Sequence, residues 1–262
     1  MIVSMNYVKN TGKRPCYYST SHEKDWVPLD PHEVDMHDAR SLDLSLDREG
    51  FRLTNHPSKV IDFMDDKQID AIYNREVVDI VMELTGADEV RLTGRTLHRF
   101  SERSNLAGAS DNSFPARFAH IDVSATEAEK MIKRSLPADR QPRRAAYFNA
   151  WRSIAGGTQD VPLAFCDSRT VKRQDCIEAD AHFEQEDGSG WVMEAWAIAH
   201  NPDHRWYYFP DMTREEIVLF KTFDSDEAQA RFVAHGAFEN PICSSDAPPR
   251  HSLETRILAV WN

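Results

Sequence analysis

The sequence predicts a mainly β fold, a sandwich or barrel with helices packed on its outside. Three observations carry the prediction. One long amphipathic pattern comes early, many short strand-like runs follow it, and no repeat, low-complexity tract or linker divides the chain. The 262 residues fit one β domain, since such folds commonly reach roughly 250 residues. A chain of this length can bury a core without a disulfide or metal staple.

Residues 1–50 are polar, with charge-rich patches such as DPHEVDMHDAR and no clear period. They read as an irregular N-terminal arm packed on a domain of residues 51–262. Asp66 to Gly86 is the clearest helix: Ile69, Ile72, Tyr73, Val77, Ile80, Val81 and Leu84 recur at three- and four-residue steps, and Gly86 supplies the stop. VRLTGRTLHRF (90–100) reads as a strand and Asn105 to Ser113 as a loop. FAHIDVS (118–124) is a short strand, after which Ser124 and Glu127 form a capping box for a helix that ends at Pro137. Residues 144–154 and 161–168 are strand-like. AHFEQED (181–187) and WVMEAWAIA (191–199) read as a hairpin about the Gly188-Ser189-Gly190 turn. RWYYFP (205–210) is a strand, Thr213 to Glu216 can cap a helical turn, and IVLFKTFDS, ARFVAHGAF and SLETRILAVWN close the chain as strands.

The 31 basic and 43 acidic residues give a net charge of −12 with no long basic run. That argues against a nucleic-acid partner. No run approaches the ~20 apolar residues of a transmembrane helix, so no membrane partner is expected. The N-terminus lacks the apolar core of a signal peptide. Cys16, Cys166, Cys176 and Cys243 stand far apart without a CxxC, which reads as reduced thiols in a cytoplasmic protein. Composition leaves a monomer or a homodimer open.

Chemistry is sought among the eleven histidines. His-x-acid occurs twice, at His120-Ile121-Asp122 and His182-Phe183-Glu184, and about two are expected by chance, so context decides. Residues i and i+2 of a strand share a face, and His120 and Asp122 end a strand just before a helix. Two imidazoles and a carboxylate make the facial triad of non-haem Fe(II) oxygenases. His182-Phe183-Glu184 lies in an acidic stretch and reads as surface. The third ligand must come from downstream, where His200, His204 and His235 are candidates. Arg250 and Ser252 are again i and i+2, so a guanidinium and a hydroxyl face one way and suit a carboxylate. A triad plus such a clamp matches 2-oxoglutarate, whose keto-acid end chelates iron.

On these residues the chain resembles the Fe(II)/2-oxoglutarate-dependent oxygenases. More narrowly it is similar to the family of the cephamycin methoxylation hydroxylase subunit and the AsaB-type hydroxylase/desaturases. The likeness runs in order through HPSKVIDFMDD, ELTGADEV, HID, YFNAWRSI, VPLAFCDSRTV, NPDHRWYYFPDMTREEIVLFKTFDS, HGAFENP and PPRHSLETRILAVW, covering roughly residues 50–262.

The resemblance implies a double-stranded β-helix (a jelly-roll, cupin-like barrel) and oxidation of a small-molecule substrate in specialised metabolism. It implies Fe(II), 2-oxoglutarate as co-substrate and O2. Carried over, His120, Asp122 and His235 bind iron, and Arg250 and Ser252 bind 2-oxoglutarate, with Arg256 as a further candidate for a carboxylate. Asn149 and Arg152 of YFNAWRSI are candidates for the pocket wall. Relatives often carry Asp-His-Thr-x-Arg where this chain has Gly94-Arg95-Thr96-Leu97-His98, so Arg95 would turn the pocket toward an anionic or carbonyl-bearing substrate. Oxidative decarboxylation to succinate and CO2, coupled to hydroxylation or desaturation, is the implied reaction. The alternatives are a metal enzyme of the same fold that does not use 2-oxoglutarate, and an inactive metabolite-binding barrel.

Overall fold

The computed structural model describes residues 1–108, 113–184 and 189–262. The chain opens with β1 (Ile2–Val8), β2 (Cys16–Tyr18), β3 (Leu29–Asp38) and β4 (Phe51–Asn55). Then α1 (Asp66–Gln68) runs through a wide turn at Ile69–Tyr73 into α2 (Asn74–Thr85). β5 (Glu89–Leu92), β6 (Leu97–Phe100) and the two-residue β7 (His120–Ile121) precede α3 (Ala125–Ser135). β8 (Arg144–Ser153), β9 (Leu163–Cys166), β10 (Cys176–Glu184) and β11 (Gly190–Ile198) follow. β12 (Trp206–Tyr208), β13 (Glu216–Asp224), β14 (His235–Ala237) and β15 (His251–Trp261) complete the chain.

The strands form two sheets. One has the order β1-β3-β12-β9-β14-β7-β11-β10-β2; the other is β4-β13-β8-β15-β5, with β6 also paired to β15. The second sheet carries apolar side chains on both faces. Ala146, Phe148, Ala150, Leu253, Ile257 and Ala259 pack on Tyr73, Val77 and Val81 of the helical layer. Trp151, Val218 and Phe220 pack the other way, onto Leu163 and Phe165 of the first sheet. Alternation along β8 and β15 sorts these sets, because successive side chains take opposite faces. Each large apolar side chain so buried contributes roughly 1.5–3 kcal/mol.

The helix ends follow the sequence. Gly86 closes α2 at φ 64°, a left-handed position that glycine takes without strain. Ser124 Oγ caps α3 by accepting from Glu127 N at 3.1 Å. The return half of the capping box is not made: Ser124 N donates to Glu194 O instead, and Glu127 pairs with Lys130.

Four expectations are corrected. Residues 1–50 are not irregular, for β1 pairs with β3, β3 with β12, and β2 with β10. Residues 90–100 are two strands rather than one, interrupted around Gly94. Thr213 to Glu216 is a turn closed by Glu216 N on Thr213 O, leading straight into β13. β10 begins at Cys176, five residues before the expected hairpin arm. Within that hairpin residues 185–188, including Gly188 of the expected turn, lie outside the described residues, as do 109–112 of the expected loop.

Candidate active site

β7 and β14 lie side by side in the first sheet, with His120 directly opposite His235. Their ring centroids are 4.4 Å apart. Asp122, two residues after His120, brings its carboxylate to both rings: Oδ1 is 3.4 Å from His120 Nε2 and 3.6 Å from His235 Nε2. The three ligand atoms all lie within 4.8 Å of one another.

Each imidazole is oriented from behind. His120 Nδ1 lies 2.9 Å from Phe118 O and His235 Nδ1 3.1 Å from Val233 O. A carbonyl can only accept, so each Nδ1 carries the proton and each Nε2 offers its lone pair toward Asp122. Asn149 Nδ2 donates to Asp122 Oδ2 at 2.6 Å, which occupies one carboxylate oxygen and leaves Oδ1 facing the histidines. Burial alone would raise the Asp122 pKa, but the adjoining His120 and His235 rings, and then the Arg256 guanidinium, hold it well below the usual carboxylate range. Two neutral nitrogens and one charged oxygen on one side of a small gap suit a divalent ion with open positions.

Glycine is required beside the site. A Cβ on Gly236 would lie 2.6 Å from Phe118 O, the acceptor for His120, and 2.8 Å from Met5 Cε.

The second sheet faces the triad. Arg256 pairs across the strands with Asn149, Glu254 with Trp151, and Ser252 with Ser153. Arg250 Nε donates to Ser252 Oγ at 3.0 Å and Nη1 to Val161 O at 2.9 Å. The Arg250 side chain is buried, and among the described residues no carboxylate lies within ion-pair distance of it. Burial, and then Arg99, lower its pKa to about 9. A buried cation in this position favours an incoming anion.

Glu254 accepts from Arg256 Nη2 at 3.0 Å and lies 3.4 Å from Arg99 Nη2. Glu254 and Arg99 are members of the site that the motif reading missed. Glu254 lies on the same strand face as Ser252 and Arg256, so its two-residue spacing was the available signal. Arg99 gave none, because it joins through the β6–β15 pairing.

A cavity of about 490 Å³ opens at the triad, lined by His120, Asp122, Arg99 and Arg256 with Tyr17, Phe114, Phe118, Phe183 and Met193 among its apolar walls. A smaller one of about 150 Å³ shares Asp122, Arg256, Phe183 and Met193 and adds Asn149. Arg250 and Ser252 line neither.

Other candidates lie elsewhere. Arg152 is on the opposite face of β8 from Asn149. Its Nη1 donates to Arg214 O at 2.6 Å, its Nη2 to His56 O at 2.8 Å, and its guanidinium lies over Tyr73. It therefore anchors the helical layer and is not at the pocket wall. Arg95 is exposed between β5 and β6 and lines neither cavity. His204 lies 3.2 Å from Asp175 Oδ2 and 3.2 Å from Tyr7 Oη, and His200 stacks on His32, so neither joins the triad. Glu184 is bonded to Lys24 and Thr20, while His182 stacks on Tyr18 at the cavity. Lys221 and Asp224 form a fully buried ion pair at 2.7 Å.

A family model described as "Oxidoreductase/YMDC permease-like domain" matches residues 5–260. The hydroxylase/desaturase efuI of Hormonema carpetanum is 31% identical, over 87% of this chain and 83% of that protein. The hydroxylase/desaturase CTB9 of Cercospora beticola is 32% identical, over 83% and 72%. The Fe(II)/2-oxoglutarate-dependent dioxygenase nvfI of Aspergillus novofumigatus is 26% identical, over 87% and 83%. The solved structure of the iron and alpha-ketoglutarate-dependent endoperoxidase NvfI superposes with a TM-score of 0.80 at 23% identity, covering 100% of this chain and 98% of that one. The fold is thus the double-stranded β-helix. No helix among the described residues is long and apolar enough to cross a membrane.

Proposed function

We propose that this chain, which belongs to the Fe(II)/2-oxoglutarate-dependent oxygenase family of those relatives, holds its iron on His120, Asp122 and His235 and hydroxylates or desaturates a small-molecule metabolite. The observation that carries the assignment is the pair of Nε2 atoms turned onto Asp122 Oδ1 by backbone acceptors on the far side of each ring. Buried imidazoles fixed in this tautomer are ligands in waiting.

Bound iron with 2-oxoglutarate and O2 supplies the oxidant that takes hydrogen from the substrate, 2-oxoglutarate leaving as succinate and CO2. The protein's part is placement. Asp122 offsets one positive charge of the ion, and Asn149 keeps its second oxygen occupied. Arg250 and Ser252 receive the distal carboxylate of 2-oxoglutarate, supported by the absence, among the described residues, of a carboxylate paired with the guanidinium. The 490 Å³ cavity is of a size for a small organic substrate. Its aromatic walls offer apolar contact to such a substrate, and Arg256, reached from both cavities, offers an anchor for a carbonyl or carboxylate. Hydroxylation or desaturation as the outcome is supported by the relatives' names.

Anaerobic titration with Fe(II) and then 2-oxoglutarate tests the reading. A weak visible charge-transfer band is expected in the wild type, absent in His235→Ala and needing far more 2-oxoglutarate in Arg250→Ala. Bound iron without a band would favour an oxygenase that does not use 2-oxoglutarate. No bound iron would favour a binding protein.

A further inference from the structure

We propose that Trp151 and Ser153 complete the cradle for the distal carboxylate of 2-oxoglutarate; this rests on the reading that Arg250 and Ser252 hold that carboxylate. The pairing of β8 with β15 sets Ser153 directly opposite Ser252 and Trp151 opposite Glu254. Directly opposed residues share a sheet face with their Cβ atoms about 5 Å apart. Arg250 Cζ lies 5.3 Å from the centre of the Trp151 ring.

Both added side chains carry an unspent donor. Trp151 Nε1 and Ser153 Oγ are buried with no hydrogen-bond partner among the described residues, and the residues are 1% and 0% exposed. Buried orphan donors are rare and each asks for an explanation. Two more stand beside them. Arg250 Nη2 has no protein partner among the described residues, since its bonds run through Nε and Nη1. Ser252 Oγ accepts from Arg250 Nε, which leaves its own proton to donate.

Four donors on one face of two adjacent strands thus lack an acceptor among the described residues. A water molecule offers two lone pairs. A carboxylate is acceptor-only with about four sites, so one carboxylate can satisfy the whole set. The indole and the hydroxyl would then select a keto acid with a second carboxylate over one without it.

The test compares 2-oxoglutarate with pyruvate, which presents the same keto-acid end to iron but has no distal carboxylate. Dissociation constants are read from the charge-transfer band under anaerobic Fe(II), with melting curves to establish folding. Ser153→Ala and Trp151→Phe are each expected to weaken 2-oxoglutarate about 10-fold or more, the scale of one hydrogen bond to a charged group, and to leave pyruvate unchanged. Ser153→Thr, which keeps the hydroxyl, is expected to retain affinity. Unchanged 2-oxoglutarate binding in both deletions would overturn the proposal, as would equal losses for both keto acids. A wild type that gives no band would instead overturn the functional reading beneath it.

Discussion

Asn149 Nδ2 donates to Asp122 Oδ2 at 2.6 Å, and this bond joins the two sheets at the triad. Asn149 comes from β8 in the second sheet, while Asp122 follows β7 in the first. Without the amide, the carboxylate could rotate and present either oxygen to the ion. Asn149→Leu keeps the volume and removes the donor. It is expected to weaken Fe(II) or Co(II) binding by about 10- to 100-fold, the usual effect of removing a partner that orients a ligand. Unchanged metal affinity in anaerobic titration would show that the bond does not set the carboxylate.

His235 and His204 should separate cleanly. His235→Ala removes a triad member and is expected to lose the metal while staying folded. His204 is tied to Asp175 and Tyr7 away from the triad. His204→Ala is expected to keep the metal and lose about 1–3 kcal/mol of stability, because buried partners are left unpaired. In a chain of this size that corresponds to a fall in Tm of several degrees. Metal content and melting curves of the two variants decide the matter.

Arg152 is predicted to act on stability alone. Its donors go to Arg214 O and His56 O, beneath the helical layer. Arg152→Met is expected to destabilise the fold by roughly 2–4 kcal/mol as two buried carbonyls lose their donors. Affinity for 2-oxoglutarate and Fe(II), measured below the melting range, should not change. A selective loss of co-substrate affinity would return Arg152 to the pocket.

The contrast between Asn149 and Arg152 shows where sequence reasoning stops. Both stand in YFNAWRSI, but three positions apart on a strand means opposite faces, so one meets Asp122 and the other the helices. His120 and Asp122 were readable because a two-residue step on a strand is a local rule. His235 needed the family resemblance, because its approach to His120 depends on the pairing of two short strands far apart in sequence. β3 was missed for a related reason. Its alternation of exposed and half-buried positions carries charged side chains on the outer face, and its partners, β1 and β12, lie on either side in sequence. Non-local pairing supplies what local period does not.

Acidification should destabilise the protein through His98 and His251. His98 Nδ1 and His251 Nε2 are 2.9 Å apart, with Phe100 stacked on both rings. Burial, and then His98, push the His251 pKa down to about 4; burial lowers His98 as well. The unfolded chain takes up these protons near pH 6.5. Stability from the neutral pair is therefore complete above pH 6.5 and is lost as pH falls toward 4, with about 3 kcal/mol from His251 at the limit. Urea midpoints between pH 7.5 and 4.5 should fall less steeply in His251→Gln than in wild type. Parallel slopes would remove the pair from the acid response.

Gly236 is expected to protect the geometry of His120 although it touches no metal. Its Cα packs so closely that an added methyl would press on Phe118 O at 2.6 Å and on Met5 Cε at 2.8 Å. The methionine can yield, being flexible. The carbonyl cannot do so freely, because it accepts the His120 Nδ1 proton and its strand neighbours are paired. Gly236→Ala should therefore cost about 1–3 kcal/mol by overpacking and weaken metal binding beyond what the loss of stability explains. The double variant Gly236→Ala with Met5→Ala separates the two contacts. If removing the methionine restores both stability and metal affinity, the clash is with the side chain and the carbonyl is not displaced. If stability returns and metal affinity does not, the Phe118 carbonyl is the element through which this glycine serves the site.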